Sequence, residues 1–312
     1  MPGDIKIISG TSNPELSKAI CTKLGIEPTP VLLDTFSDGE IRIEIQDNVR
    51  GHDIFVIQST CCPVNFNIMQ TSLILDALKR ASAGRVTAVL PYYGYARQDR
   101  KVSPRAPISA KLVADILCVA GMSRLMTIDV HAGQIQGFFN CPVDNLFSAP
   151  VALEHLRSIE GELVIVSPDA GGVERARAYA KRLNASLAII DKRRDRPNQI
   201  AEMHVIGDVS GKTAVVVDDM IDTAGTIVAA ADLLFANGAV DVLACATHAV
   251  LSGPAVERLN NSRFSKVLVS DTIPLGEKAD LCKKLQVFSI ADLLAKAIYN
   301  THTESSVSEL FV

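Results

Sequence analysis

The sequence predicts an α/β protein made of two similar halves, each a mainly parallel sheet flanked by helices. Three observations carry this. Short β-rich runs alternate with helical-period segments along the whole chain, the order that βαβ units impose. The strongest run, Val215, Val216 and Val217, is apolar at every position, as a strand covered on both faces must be. A length of 312 residues is long for one domain, so division into two is expected.

In chain order, the β-rich runs place strands at 5–9, 41–45, 54–58, 86–90 and 125–129. Helices fill the gaps at 14–24, 67–81 and 109–120, where apolar residues recur at i, i+3 and i+4. Leu73, Leu75 and Leu78 are assigned to the buried side of the second of these. The same rhythm then gives strands at 163–166, 187–190, 214–217, 242–246 and 267–269, with helices at 173–183, 226–235 and 291–299. Asp144 to Pro150 is turn-rich and lies near the midpoint, which sets the boundary there, between 147 and 148.

Composition narrows the class. A net charge of −4 supplies no global basic field for nucleic acid, so an anionic ligand has to be bound locally and should be small. Seven Cys form no Cys-x-x-Cys pair; Cys118 and Cys245 sit inside apolar runs, where thiols act as small core residues in a reducing cytoplasm. Adjacent Cys61 and Cys62 have poor geometry for a metal or a disulfide. No segment has the apolar length of a membrane span, and the first residues run into a strand rather than a signal peptide.

The chemistry concentrates in loops that follow strands. After Val217 come Asp218 and Asp219, then Asp222, Thr223, Ala224, Gly225 and Thr226, and then a helical pattern through Ala229, Ala230, Leu233 and Leu234. A helix N-terminus presents free N–H groups and the positive end of its dipole, which with two Thr hydroxyls makes a phosphate cradle. The adjacent carboxylates suit the vicinal hydroxyls of a ribose, or Mg²⁺ held directly or through water; the plainer alternative is a solvated acidic loop. Two further strand ends carry polar residues, Asp129-Val130-His131 and Ser167-Pro168-Asp169-Ala170-Gly171-Gly172. Both belong at carboxyl edges, where open α/β sheets bind ligands. His131 and Asp169 would offer an imidazole nitrogen and a carboxylate to nucleotide-bound Mg²⁺, although a His at a strand end is more often structural.

Tyr92, Tyr93 and Tyr95 precede Arg97, Gln98, Asp99, Arg100, Lys101 and Arg105, a combination that could stack adenine and bind polyphosphate or simply form a solvated basic loop. Lys192, Arg193, Arg194 and Arg196 stand beside Pro197. Four cations there repel one another until an anion arrives, so the stretch reads as a lid closing over phosphates or as a soluble surface loop. Gly207 to Thr213 imitates a Walker A loop, but only three residues separate its glycines and it precedes a strand, so it reads as a turn.

The Asp218–Thr226 pattern resembles the phosphoribosyl-pyrophosphate (PRPP) loop of phosphoribosyltransferases. Together with Phe36-Ser37-Asp38-Gly39-Glu40, Tyr95 to Arg100, Asp129 to Ala132, Gln134 to Phe139, Ser167-Pro168-Asp169 and Asp191 to Arg194, it makes the whole chain resemble the ribose-phosphate pyrophosphokinase family. That resemblance implies two phosphoribosyltransferase-like domains, 1–147 on the ATP side and 148–312 on the ribose 5-phosphate side. It implies Mg²⁺-ATP and ribose 5-phosphate as substrates, AMP and PRPP as products, and a cytoplasmic homohexamer with phosphate and ADP as effectors.

By matching motif, Lys192 and Arg194 would be catalytic cations, with Arg194 also reaching ribose 5-phosphate. Asp218, Asp219 and Asp222 through Thr226 would hold the sugar phosphate. Arg97, Gln98, Asp99 and His131 would face ATP, Phe36, Asp38 and Glu40 would approach its adenine from a neighbouring subunit, and His131 and Asp169 would meet the metal. Ala224 stands where many members have Gly, and Gly133 where a bulkier residue or Pro is commoner. A phosphoribosyltransferase that consumes PRPP would need the same acidic loop but neither Arg97-Gln98-Asp99 nor a second half. A non-catalytic regulatory subunit would have no need of Lys192, Arg194 and His131.

Overall fold

The computed structural model describes residues 3–193 and 202–311. In the first unit the chain runs through β1 (Ile5–Ser9), α1 (Pro14–Leu24), β2 (Val31–Thr35), β3 (Ile41–Ile45), β4 (Asp53–Ile57), α2 (Val64–Arg80), β5 (Arg85–Leu90), α3 (Ser109–Ala120), β6 (Arg124–Ile128) and β7 (Val143–Leu146). Five strands form a wholly parallel sheet in the order β1-β4-β5-β6-β7. β2 and β3 form a separate antiparallel hairpin. β4 is buried at all five positions, the state of a parallel strand with helices on both faces.

On α2 the buried side holds Ile74, Leu75 and Leu78, while Leu73 is only half-buried. The expectation for Leu73 is therefore corrected. Residues 74, 75 and 78 follow helical spacing, whereas 73 and 75 diverge by two steps around the helix. Each such buried side chain contributes roughly 1.5–3 kcal/mol.

The second unit runs α4 (Ala149–Leu156), β8 (Leu163–Ser167), α5 (Val173–Leu183), β9 (Ser186–Arg193), β10 (Glu202–Ile206), β11 (Thr213–Ile221), α6 (Gly225–Ala236), β12 (Asp241–Ala249), α7 (Ala255–Asn261), β13 (Lys266–Ser270), α8 (Lys278–Leu281) and β14 (Leu285–Phe288). Its seven strands order as β10-β9-β8-β11-β12-β13-β14, parallel except for the β9–β10 hairpin at one edge. Val164, Val166, Ala214, Val216, Ala230 and Leu234 lie in its core.

The chain then returns. α9 (Ala291–His302) packs on α1, and Thr272–Pro274 and the chain from Ser289 belong to the first unit, together with the residues up to Phe147. A simple division into 1–147 and 148–312 is therefore corrected at its far end. The stretch expected to be a turn-rich boundary is itself ordered: Val143–Leu146 is a strand and Ala149–Leu156 a helix. No helix among the described residues is long and apolar enough to cross a membrane.

Candidate functional site

β11 does not stop at its two acids. Parallel pairing with β12 carries it on through Asp218↔Ala246, Met220↔His248 and Ile221↔Ala249, while pairing with β8 ends at Val216. Asp218 and Asp219 thus lie within the last four residues of the strand, on a stretch that one neighbour has already left. The expected end at 217 is four residues short because polar residues conceal a strand whose ladder is continued by its partner. The loop is then Asp222, Thr223 and Ala224, and α6 begins at Gly225.

Neighbouring elements fix this loop. Ser252 donates its hydroxyl to the Asp222 carboxylate, Ser252 N–H donates to Asp222 O at 3.1 Å, and Arg258 Nη1 donates to Thr223 O at 2.9 Å. Ala224 has φ +60° and ψ 0°, the left-handed region that an L side chain enters at a cost of roughly 1–2 kcal/mol. A methyl at Gly225 would come within 3.2 Å of Arg258 Nη1. No side chain caps α6, so its first-turn N–H groups face the loop as an anion cradle. By contrast α1 is capped, Asn13 Oδ1 accepting from Leu16 N–H at 3.3 Å.

Beside the cradle stands the carboxylate pair. Asp219 N–H donates to Asp218 Oδ1 at 2.8 Å. Arg175, in the first turn of α5, brings Nη1 to 3.6 Å from Oδ1 of each acid. Burial, followed by the hydrogen bond and the charge of Asp219, pushes the Asp218 carboxyl up from 3.8 to about 8; the Asp219 amide and Arg175 pull the other way without winning. Burial therefore favours the neutral form of Asp218 at neutral pH.

Asp169 follows β8 as an exposed residue, its Oδ1 accepting from Gly172 N–H at 3.0 Å and its carbonyl from the Ser167 hydroxyl at 2.7 Å. One carboxylate oxygen is thus engaged at the start of α5.

In the first unit, Arg97, Gln98 and Asp99 lie on the loop after β5, with Arg97 and Gln98 exposed. Gln98 anchors the start of α3, accepting from the Ser109 hydroxyl at 2.6 Å and from Ala110 N–H at 3.2 Å. Gln134 Nε2 donates to Asp99 Oδ2 at 2.9 Å, which joins this loop to the segment after β6, where His131 is exposed. Asp129, at the turn out of β6, has φ +42°, and Tyr95 has φ +64°. Strained backbone thus recurs at these strand ends, a feature typical of ligand sites. Phe36, Asp38 and Glu40 occupy the tip of the β2–β3 hairpin; Phe36 is half-exposed, and Glu40 N–H donates to Asp38 Oδ1 at 3.1 Å.

The structure corrects the tyrosine reading. Tyr92 and Tyr93 are 7% and 2% exposed, and Tyr93 donates to Ala110 O and packs edge-on against Phe139. They are core residues, closed to a nucleotide base. Cys245 is buried as expected, whereas Cys118 is only half-buried; none of the seven cysteines is in a disulfide. Arg194 lies outside the described residues, and of Lys192 only the backbone is described, in β9 opposite Met203 of β10. Gly207 to Lys212 is a turn between β10 and β11, as read.

Arg175, Ser252 and Arg258 were not anticipated from sequence. Only Arg175 leaves a trace there: a cation in the first turn of a helix opposes the dipole, which marks it as held by an acid nearby.

Two family models match the chain: the N-terminal domain of ribose phosphate pyrophosphokinase over residues 5–121, and the phosphoribosyl synthetase-associated domain over 193–312. A ribose-phosphate pyrophosphokinase of Caldanaerobacter subterraneus is 53% identical, with 98% of each chain covered. One of Chromobacterium violaceum is 53% identical over 98% of this chain and 94% of its own. The crystal structure of phosphoribosylpyrophosphate synthetase from Mycobacterium smegmatis superposes with a TM-score of 0.92 at 41% identity, covering 97% of this chain and all of that one.

Proposed function

The chain belongs to the ribose-phosphate pyrophosphokinase family, and from that premise we propose that it binds ribose 5-phosphate on the Asp218–Thr226 loop and Mg²⁺-ATP on the loops of Arg97–Asp99 and His131. The pyrophosphoryl group of ATP passes to the C1 hydroxyl, giving PRPP and AMP. The observation that supports this most is the helix start without a side-chain cap directly after a carboxylate pair. The first suits a 5-phosphate, the second the vicinal hydroxyls of the same sugar.

The C1 oxygen attacks the β-phosphorus in line, the bond to the α-phosphoryl oxygen breaks, AMP leaves, and the hydroxyl proton passes to solvent. Negative charge spreads over phosphoryl oxygens, so positioning and cations carry most of the catalysis. Lys192 and Arg194 supply those cations, Arg194 reaching the sugar phosphate as well. The α6 N-terminus, Thr223 and Thr226 hold the phosphate, Asp218 and Asp219 orient the ribose, and Arg97, Gln98 and Asp99 hold the nucleotide.

Asp169 fits a hard cation, since it is an exposed carboxylate steadied by the Gly172 amide. By matching motif, His131 would be the second protein ligand. When bound, Mg²⁺ would neutralise phosphate charge and orient the polyphosphate. We extend the proposal to a homohexamer, with Phe36, Asp38 and Glu40 serving the adenine of a neighbouring subunit and with phosphate and ADP as effectors. Light scattering checks the assembly.

The purified chain mixed with ATP, Mg²⁺ and ribose 5-phosphate should release AMP and PRPP in equal amounts. AMP without PRPP, or no heat on titrating ribose 5-phosphate, would sink the assignment.

A further inference from the structure

We propose that the connection from β12 to α7 is a brace for the sugar-phosphate loop, with Ser252 and Arg258 as positioning residues for the 5-phosphate. The inference rests on the reading that the Asp218–Thr226 loop takes ribose 5-phosphate, and it deepens that reading.

Three successive carbonyls of the loop are taken by this one segment. Leu251 N–H donates to Ile221 O at 2.9 Å, Ser252 N–H to Asp222 O at 3.1 Å, and Arg258 Nη1 to Thr223 O at 2.9 Å. The fourth, Ala224 O, accepts from Val228 N–H at 3.1 Å. In a trans peptide a carbonyl and the N–H that follows it point in opposite directions. Each hold on a carbonyl therefore turns the next amide away from the brace. Thr223 N–H and Ala224 N–H are turned in this way, and among the described residues neither has an acceptor. The start of α5 shows the alternative. There Asp169 Oδ1 accepts from Gly172 N–H at 3.0 Å, so the loop's own carboxylate consumes an amide. At α6 no side chain caps the helix, and an anion meets donors already aimed, so its binding loses little to ordering the loop.

The brace is itself held in a strained shape. Leu251 is buried with φ +47°, and Gly253 has φ +53°. A left-handed leucine persists only where its surroundings fix it, and here burial and the bond to Ile221 do so. Arg258 is exposed, and its guanidinium lies over Gly225, where a methyl would come within 3.2 Å of Nη1. An exposed side chain of this kind contributes little to global stability; what it holds is the shape of the loop. The Ser252 hydroxyl adds a bond to the Asp222 carboxylate.

Initial rates, calorimetry with ribose 5-phosphate and thermal unfolding are measured on wild type, Arg258→Met, Arg258→Lys and Ser252→Ala. Arg258→Met should raise the Kd and the KM for ribose 5-phosphate about tenfold, leaving kcat and the ATP KM within about twofold, because a preset loop favours ground and transition states alike. The Tm of the ligand-free chain should stay within about 2 °C. Arg258→Lys keeps a donor for Thr223 O and should recover most of the loss. Ser252→Ala keeps the backbone bond to Asp222 O but loses the hydroxyl, and should raise the same KM about threefold.

The ratio of Arg258→Met to wild-type KM should hold between about 0.02 and 0.5 M KCl. A ratio that collapses with salt marks a guanidinium acting by charge at a distance and overturns the brace. So does an unchanged ribose 5-phosphate KM, or an ATP KM raised as much as the sugar's, the mark of a merely structural arginine. Should Arg258→Met fail to fold, Ser252→Ala decides: a rise confined to the ribose 5-phosphate KM supports the proposal, and an unchanged one ends it. If wild type itself gives no heat with ribose 5-phosphate, the sugar assignment and this inference fall together. If wild type binds and Arg258→Met binds as tightly, only the inference falls.

Discussion

Two acid clusters, one in each unit, use the same side-chain chemistry to opposite ends. At the amino end of β4, Asp53 is fully buried and saturated: Arg85 grips both its oxygens and His302 Nδ1 lies 2.9 Å from Oδ2. Arg85 also donates to Thr301 O at 3.0 Å, so the cluster ties the end of α9 to the sheet of the first unit. The hydrogen bonds it donates to Asp53 keep the Arg85 guanidinium still more firmly protonated. Near the carboxyl end of β11, Asp218 and Asp219 both lie 3.6 Å from one arginine, and burial pushes the Asp218 carboxyl up to about 8. The contrast is between a buried carboxylate gripped on both oxygens and a carboxylate pair at a carboxyl edge whose arginine stands off at 3.6 Å, the placement in which open α/β sheets bind ligands.

The largest expected effect would test the first half of that contrast. Arg85→Met should destabilise the chain by about 3–5 kcal/mol in urea unfolding, because it strands a buried charge. Turnover per folded molecule should be unchanged. A loss under about 1 kcal/mol would mean the cluster supports nothing.

The second half predicts an opposite trade. Asp218→Asn should lower kcat/KM for ribose 5-phosphate about a hundredfold, or roughly 2.7 kcal/mol. Yet it should raise the stability of the ligand-free chain at pH 8 by on the order of 1–3 kcal/mol, since it removes a charge that burial and Asp219 disfavour. A variant both inactive and less stable would erase the comparison.

Stability against pH sharpens it further. Folding lifts Asp218 from 3.8 to about 8, so over that range the native chain holds a proton the unfolded chain has released. This contribution to stability is whole below pH 3.8 and is lost as pH rises to about 8. The advantage of Asp218→Asn over wild type should therefore widen from pH 5 to pH 8 and then level off. A constant difference across that range would place the proton elsewhere.

The smallest effect concerns the turn between the pair and the cradle. Ala224→Gly relieves a left-handed φ of +60° but removes a methyl that is 5% exposed and in the core. Strain relief and lost burial are each about 1 kcal/mol, so stability should move by less than about 0.5 kcal/mol. A shift beyond about 1.5 kcal/mol either way would show that one of the two had been misjudged.

Much of the second unit's site was readable because it is local. Strand, acids, small residues and helix follow one another within a dozen positions, and backbone geometry leaves that order few ways to fold. Arg175 was out of reach: more than forty residues precede Asp218 after it, and only the parallel β8–β11 pairing makes their elements neighbours. The tyrosines misled for a related reason. An aromatic before a cationic loop looks the same in sequence whether it faces a ligand or Ala110 and Phe139.

Periodicity thus determined the α/β class, the central strands and the turn from β11 into α6, because burial on both faces and a helix start write themselves into neighbouring residues. Edge strands were missed: β2 is nowhere fully buried and β14 is buried only at Phe288, and half-exposed strands need no continuous apolar run. Tertiary structure alone decided where α9 docks, how far β11 extends and which arginine meets the acids. An amphipathic face declares that it must be covered, but its partner is chosen by long-range packing, and no local pattern records that choice.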